Sequence, residues 1–242
     1  MKITITDLKK SFGDHMAVNI SNFAVNHGQL LGLVGNNGAG KTTLFRLLLD
    51  LLKADEGQIQ LCPTTGSGEE DTMSPAISED WKSYTGAYID DGFLIDFLTP
   101  EEYFHFIGKI NGLSVSETGE RVAYFAQFMG GEILGTKKLI RNFSAGNKQK
   151  IGIVAAMINH PQLLILDEPF NFLDPTSQNV LKHLLKEYNR QSGATILVSS
   201  HNLNHTVDIS SRIALLENGV ILQDIDNTGG GAAQVLEDYF NV

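Results

Sequence analysis

One stretch of the sequence decides the class of fold, and it reads Gly35-Asn36-Asn37-Gly38-Ala39-Gly40-Lys41-Thr42. This octet fills the pattern G-x-x-x-x-G-K-[ST], in which glycines let the backbone turn its N–H groups inward around phosphate oxygens. The apolar run Leu30–Val34 comes directly before it, and Leu44, Leu47 and Leu48 recur at helical spacing after it. Strand, loop and helix therefore follow one another in the order that a phosphate-binding loop requires.

This loop predicts a site for a nucleoside triphosphate with Mg²⁺. The N-terminus of the following helix favours negative charge, Lys41 would reach the terminal phosphates, and the Thr42 hydroxyl would ligate the metal. A kinase or a GTPase would carry the same loop, so the loop alone does not choose among these enzymes. The residues expected to line the nucleotide here are Gly35, Asn36, Asn37, Gly38, Ala39, Gly40, Lys41, Thr42 and Thr43.

Composition narrows the classes of function. The 242 residues, 42% of them hydrophobic, are enough for a full core, and we expect one folded unit. With 18 basic and 28 acidic residues the formal charge is -10, which leaves no basic surface for nucleic acid or anionic lipid. No segment approaches the roughly 20 apolar residues of a membrane span, and the N-terminus alternates as a strand does rather than forming a signal peptide. We therefore expect a cytoplasmic protein that reaches a membrane only through a partner.

Short apolar runs alternate along the chain with helical patterns. Such a pattern follows Lys41, and another covers residues 176–190, where Leu181, Leu184 and Leu185 share one face. This alternation predicts an α/β fold with a mostly parallel sheet. The apolar runs that we interpret as buried strands are residues 30–34, 163–166, 194–198 and 213–216.

The section between the first two runs is long and changes character. Residues 63–80 are rich in small and acidic residues, which predicts a surface loop or a loose hairpin. From Thr99 the pattern is helical as far as about Met129, and Pro100 suits a first helical position. We expect a helical lobe inserted into the sheet domain.

Two carboxylates follow the apolar run at 163–166. Asp167 and Glu168 would stand at the edge of the sheet where ligands of such folds bind. Asp167 is placed to hold Mg²⁺, and Glu168 to act as the general base that polarises the attacking water. The pair predicts hydrolysis of the bound triphosphate.

A segment upstream of this pair is similar to the signature of the ATP-binding cassette (ABC) family. It reads Phe143-Ser144-Ala145-Gly146-Asn147-Lys148-Gln149-Lys150, against Leu-Ser-Gly-Gly-Gln in the family's commonest form. Ser144 is placed to cap a helix whose free N–H groups offer a second anion site. The resemblance implies that Ser144 and Gly146 meet the γ-phosphate of an ATP held by an opposite subunit.

Three further elements agree with the resemblance. After Pro169 the sequence Phe170-Asn171-Phe172-Leu173-Asp174-Pro175 is similar to the D-loop, in which Leu173 and Asp174 would signal across the dimer interface. His201 resembles the switch histidine that contacts the γ-phosphate and fixes the general base. Phe12 falls where the family has an aromatic ring that stacks on adenine. The implied catalytic set is Glu168, His201 and Lys41.

One segment departs from the family pattern. The family's Q-loop has Gln, sometimes Glu, where this chain has Asp90, or alternatively Asp91. We expect Asp90 to contribute to the Mg²⁺ and nucleotide site through a bridging water, beside Thr42 and Asp167. The apolar residues that follow lie where a membrane subunit would dock a coupling helix, and simple core residues are the alternative: Phe93, Leu94, Ile95 and Phe97.

The resemblance implies an α/β P-loop NTPase with flanking helices, an antiparallel β subdomain and an inserted helical lobe. We expect a single nucleotide-binding domain over residues 1–242, with the lobe at about 99–143. It would be the cytoplasmic, peripheral motor subunit of an exporter, with a separate permease chain and a second nucleotide-binding domain, identical or paralogous. The absence of room for a regulatory domain after residue 222 favours the exporter. The alternative is a soluble ABC ATPase of a non-transport assembly, whereas the absence of a coiled coil argues against a DNA-repair ATPase.

Overall fold

The computed structural model of the chain describes residues 1–64 and 71–240. Its strands are β1 (Lys2–Phe12), β2 (His15–Val25), β3 (Leu30–Val34), β4 (Glu56–Cys62), β5 (Thr85–Tyr88), β6 (Leu163–Leu166), β7 (Thr195–Ser200), β8 (Arg212–Glu217) and β9 (Val220–Asp226). Its α-helices are α1 (Lys41–Leu48), α2 (Pro100–Ile110), α3 (Val115–Tyr124), α4 (Ala126–Met129), α5 (Ala145–Met157), α6 (Pro175–Ser192), α7 (Leu203–Ile209) and α8 (Ala232–Phe240). Within the described residues, no helix has the length and apolar character to cross a membrane.

Two sheets form the framework. The larger has the strand order β5-β6-β7-β3-β8-β9, and all its neighbours are parallel except β9, which runs antiparallel to β8. The smaller sheet is antiparallel and has the order β2-β1-β4. These sheets confirm the α/β class and the antiparallel subdomain expected from the sequence.

The larger sheet separates two apolar clusters. Leu163 and Ile165 of β6 face a cluster that contains α1 and the smaller sheet. Leu164 and Leu166 face the cluster formed with α2 to α6. Because successive side chains of a strand point to opposite faces, a strand covered on both faces is a continuous apolar run, as predicted.

The section expected to be helical from Thr99 to about Met129 consists of three helices, α2, α3 and α4. The chain leaves α2 through Gly112 at φ +77°, and Ser114 then caps α3 by accepting from the backbone N–H of Glu117. A left-handed glycine followed by a cap is a signal for ending one helix and starting the next. Pro100 does occupy the first position of α2.

Several strands differ from the sequence analysis. It missed β2, β4 and β5: β5 has only four residues, β4 is exposed over its first half, and β2 buries its residues irregularly. The strand expected at 194–198 is Thr195–Ser200, because Ser199 and Ser200 pair with Leu33 and Val34 of β3. In the surface loop or loose hairpin expected at 63–80, Met73 pairs with Leu61 of β4, whereas residues 65–70 lie outside the described part of the chain.

Candidate nucleotide-binding site

Four adjacent parallel strands end at one edge of the larger sheet. The glycine-rich loop follows β3, Asp90 lies two residues after β5, Asp167 directly follows β6, and His201 directly follows β7. Parallel strands bring the segments after their carboxyl ends together, and ligands of open α/β sheets bind at that edge. The topology thus collects four of the predicted site segments in one place.

Glycines give the loop its shape. Gly40 has φ +107°, and a Cβ there would lie 2.3 Å from the carbonyl oxygen of Ala17. A Cβ on Gly35 would lie 2.2 Å from the carbonyl oxygen of Leu216. Neither contact leaves room for a side chain, so the path of the loop against its neighbours requires glycine at both positions.

Lys41 is buried beneath this loop. Its Nζ donates to the carbonyl oxygens of Gly35 at 2.7 Å and Asn36 at 3.3 Å, and it lies 3.6 Å from Oε1 of Glu168. The ammonium group is therefore held between the loop and the acidic pair. A cation in this position can offset phosphate charge.

Asp167 and Thr42 form the oxygen-rich part of the site. Oγ1 of Thr42 donates to Oδ2 of Asp167 at 2.5 Å, and the Ser199 hydroxyl donates to Oδ1. Burial raises the pKa of Asp167, although these two hydrogen bonds oppose the shift. A carboxylate and a hydroxyl that already touch fit a hard, oxygen-preferring cation such as Mg²⁺.

Glu168 has a left-handed backbone, with φ +46°. Its N–H donates to Oγ of Ser199 at 2.8 Å, and its carbonyl accepts from Nε2 of Gln149 at 3.2 Å. On the side chain, Oε2 lies 2.9 Å from Nδ1 of His201 and accepts from the His201 N–H at 3.2 Å. The predicted base and the predicted switch histidine are therefore in direct contact.

Two cavities meet at Glu168. The first, about 320 Å³, is lined by the loop from Asn37 to Thr43 and by Phe12, whose ring is 52% exposed. The second, about 220 Å³, is lined by Asp90, Asp91 and Gln149 together with Asp167. Phe12 is thus brought to the loop, and Asp90 to the acidic pair.

Asp90 carries a partner that the sequence analysis did not foresee. Its Oδ1 accepts from the Gly92 N–H at 2.9 Å, while Oδ2 lies 3.3 Å from a guanidinium nitrogen of Arg46 on α1. Asp91 instead faces Lys148, at 3.8 Å. The two candidates for the Q-loop position therefore have different cations beside them.

Three predicted residues are not brought to the glycine-rich loop. Ser144 caps α5 and accepts from the Asn147 N–H at 3.3 Å, and Asp174 caps α6 and accepts from the Ser177 N–H at 3.0 Å. The described linings of the two cavities contain neither of these residues, nor Gly146. Their expected contact with a nucleotide held by another copy stays a prediction.

Sequence reasoning missed the two residues that hold the Glu168 backbone. Ser199 is fully buried, and the signal for it was a polar residue at the end of a buried strand. Gln149 is 2% exposed, and a buried amide on an apolar helix face was the corresponding signal.

The glycine-rich loop after β3, with an acidic pair after β6, defines the class of P-loop NTPases. A sequence model described as "ABC transporter" matches residues 18–171, and one described as "AAA domain, putative AbiEii toxin, Type IV TA system" matches residues 135–208. Bacitracin transport ATP-binding protein BcrA of Bacillus licheniformis is 33% identical over 228 residues, covering 92% of this chain and 69% of that protein. The chain belongs to the ABC transporter family, as an ATP-binding subunit with ATPase activity.

Other relatives and solved structures agree on the family. Methionine import ATP-binding protein MetN of Rhizobium johnstonii is 32% identical over 224 residues, covering 92% of this chain and 60% of that protein. A solved ATP-binding subunit of an ABC transporter has a TM-score of 0.80 at 26% identity, covering 100% of this chain and 94% of that one. The dimeric cassette MJ0796 bound to ADP and Pi has a TM-score of 0.79 at 21% identity, covering 93% and 98%. The last of these supports the fold.

Proposed function

We propose that the chain is the motor subunit of an ABC exporter, peripheral on the cytoplasmic face of a membrane. The observation that carries the ATPase motor is the placement of Glu168 where the loop cavity and the Asp90 cavity meet, in contact with His201 and near Lys41. In this arrangement Glu168 accepts a proton from the water that attacks the terminal phosphate. His201 orients the Glu168 carboxylate, and Phe12 stacks on the adenine ring of ATP.

Mg²⁺ would be held by Thr42 and Asp167, with Asp90 acting through a water. The bound metal neutralises charge on the phosphates. Lys41 and the backbone N–H groups of the loop hold the triphosphate from the other side. Burial raises the pKa of Asp167 because it penalises the charged carboxylate, and a bound cation would offset that penalty.

Two copies, or this chain and a paralogue, would close head to tail around two ATP molecules. Ser144 and Gly146, at the N-terminus of α5, would complete the partner's site, and Asp174 would lie at the interface. A helix N-terminus with free N–H groups attracts the γ-phosphate, so bound ATP would hold the two subunits together and its hydrolysis would let them separate. Support comes from the exposure of Phe172, which is 75% accessible beside these groups.

A separate permease subunit would dock at a third cavity. This cavity, of about 330 Å³, lies between the larger sheet and α2 and is lined by Phe93, Leu94 and Ile110, with Asp90 at its wall. Phe93 is 56% exposed and Ile110 is 63% exposed. Exposed apolar side chains around a concave surface are typical of a protein interface.

The finer features of the proposal rest on the sequence. The departures at the signature and at Asp90 are similar to those of single-domain exporter ATPases, which favours export. One relative is named for bacitracin transport and another for methionine import, so the direction of transport is part of the proposal. We also propose a single nucleotide-binding domain over residues 1–242, with an inserted helical lobe at about 99–143.

The test uses the tagged Glu168→Gln variant, purified from its native membranes with Mg-ATP. Loss of the general base lowers turnover by about one-hundred-fold or more, because such a base contributes about 10²–10⁴-fold. ATP binding persists, so we expect an ATP-bound dimer together with an integral membrane protein of several spans. Size-exclusion chromatography of the purified material detects the dimer, and mass spectrometry identifies the membrane protein.

Each part of the proposal has its own contrary result. Turnover at the native rate would show that Glu168 is not the base. Recovery of soluble partners alone would leave the ATPase in place and favour the non-transport ABC assembly instead. The wild-type protein without ATP serves as the control for nucleotide-dependent pairing.

A further inference from the structure

Gln149 is a buried polar residue to which no part of the mechanism above gives a role. It lies in the second turn of α5, its side chain is 2% exposed, and Nε2 donates to the carbonyl oxygen of Glu168 at 3.2 Å. A buried amide is costly unless its hydrogen bonds are made. The bond to Glu168 therefore fixes the two groups relative to one another.

The backbone of Glu168 needs such support. Its φ of +46° is a left-handed conformation, which a residue other than glycine keeps only where its surroundings hold it. Buried side chains bond both backbone polar groups of Glu168: its N–H donates to Ser199 at 2.8 Å, and its carbonyl accepts from Gln149 and from the Asn171 N–H, each at 3.2 Å. Rotation of either peptide group would turn the Glu168 carboxylate away from His201.

The same helix touches the other end of this segment. Gly146, three residues before Gln149, packs so closely that a Cβ would lie 2.5 Å from the carbonyl oxygen of Phe172. Phe172 is again left-handed, at φ +59°. The first turns of α5 therefore contact the residues 168–172 segment at both of its left-handed positions.

We propose that Gln149 is a positioning residue for Glu168, which fixes the catalytic carboxylate to the N-terminus of α5 within the same subunit. The inference rests on the proposed role of Glu168 as the base. Ser144 and Gly146 lie at the start of the same helix. A nucleotide held by the opposite subunit and contacting these residues would therefore affect the position of Glu168 through Gln149. The two nucleotide sites of the dimer are thereby linked.

The test compares Gln149→Met with Gln178→Met. Gln178 on α6 makes the same kind of bond to the same segment, donating to the carbonyls of Phe170 at 3.1 Å and Leu173 at 3.2 Å, but it does not contact Glu168. Methionine keeps the length and removes the donor in both cases. We expect Gln149→Met to lower kcat by about ten- to one-hundred-fold, since a misplacement of about 1 Å can cost about 10²-fold.

A positioning role also predicts what stays constant. The KM for ATP and the Kd of a non-hydrolysable analogue should change less than about twofold in Gln149→Met, because Gln149 does not line the loop cavity. Gln178→Met should keep kcat near the native value with a comparable loss of thermal midpoint. An equal loss of kcat in both variants, or a native kcat in Gln149→Met, would overturn the proposal.

A double substitution separates this proposal from the assignment of Glu168. In the Glu168→Gln background, Gln149→Met should cause no further loss of single-turnover rate, because residues that act as a unit are not additive. An undiminished effect in that background contradicts the proposal even if Glu168 is the base. Native turnover of Glu168→Gln alone defeats the base assignment instead. If Gln149→Met does not fold, Gln149→Asn, which keeps the amide but is one methylene shorter, replaces it with the same expected results.

Discussion

At the scale of single residues, the acidic groups of the site are each matched by a cation or a hydrogen-bond donor from another element. Lys41 lies near Glu168, Arg46 near Asp90, and Thr42 donates to Asp167. The pair of Arg46 and Asp90 is about half exposed, so it contributes little to stability. The ion pair instead positions the Asp90 carboxylate, which lies at the wall between the cavity of the acidic pair and the cavity beside α2.

The prediction at this scale concerns Asp90→Ala. Asp90 lines the cavity of the acidic pair and not the described lining of the loop cavity, so the change should lower the ATPase rate while ATP affinity is retained. Steady-state turnover and equilibrium titration with a fluorescent ATP analogue measure the two effects. Asp91→Ala is the matched control, since Asp91 faces Lys148. Wholesale loss of nucleotide affinity in Asp90→Ala would contradict the prediction, and a loss of turnover confined to Asp91→Ala would assign the Q-loop position to Asp91.

At the scale of elements, long patterns were predictable and short or exposed ones were not. The bounds of β3 and β6 agree with the apolar runs because both strands are covered on both faces, which makes every residue apolar. Strand β5 has only four residues, and its place is decided by parallel pairing with β6, a contact that is distant in sequence. Local pattern carries no information about such a pairing.

The same distinction holds for the site. The glycine-rich loop and the Asp167–Glu168 pair are contiguous motifs, so the sequence placed them at strand ends. By contrast, the hydrogen bonds that join Glu168 to Ser199 and to Gln149 link residues 31 and 19 positions apart in the chain. Contacts of this kind depend on the packing of one element on another, and no spacing rule predicts them.

The element-scale prediction concerns the start of α2. Thr99 accepts from the Glu102 N–H, and Glu102 accepts from the Thr99 N–H at 2.8 Å, which forms a capping box. Thr99→Ala should lower the free energy of unfolding by about 1 kcal/mol, while Thr99→Ser, which keeps the hydroxyl, should be close to native. Urea denaturation followed by circular dichroism measures the difference, and equal stability of the two variants would contradict the cap.

The same box should make stability depend on pH. Hydrogen bonds from the Thr99 backbone and hydroxyl lower the pKa of Glu102. A lowered folded-state pKa means that the contribution is present above the ordinary glutamate pKa of about 4.3 and is lost as the pH falls through the lower, folded-state value. The stability advantage of the wild type over Glu102→Gln should therefore shrink in acid, and a constant difference down to that range would be contrary to the assignment.

At the scale of the whole molecule, the nucleotide edge and the proposed docking cavity share one wall. Tyr88, Ile89 and Asp90 line both the cavity of the acidic pair and the cavity beside α2. All three lie at or just after the end of β5, whose neighbour β6 ends in Asp167. A partner that displaces this short segment would therefore shift Asp167, the proposed Mg²⁺ ligand, through the pairing of β5 with β6.

The last prediction separates docking from catalysis by Phe93→Asp in the tagged Glu168→Gln chain. Phe93 is exposed and lines the docking cavity, so a charge there should prevent recovery of the membrane partner by burying an unpaired carboxylate at the interface. Val115→Asp is the matched control, because Val115 is 70% exposed on α3 but lies outside the described lining of that cavity. In the background that retains the native Glu168, both substitutions should leave the ATPase rate of the isolated protein within about twofold of the wild-type rate, since neither residue lines the loop cavity. Full recovery of the membrane protein with Phe93→Asp would show that the permease binds another surface. An equal loss with Val115→Asp would show that the added charge, and not its place in the cavity, causes the effect.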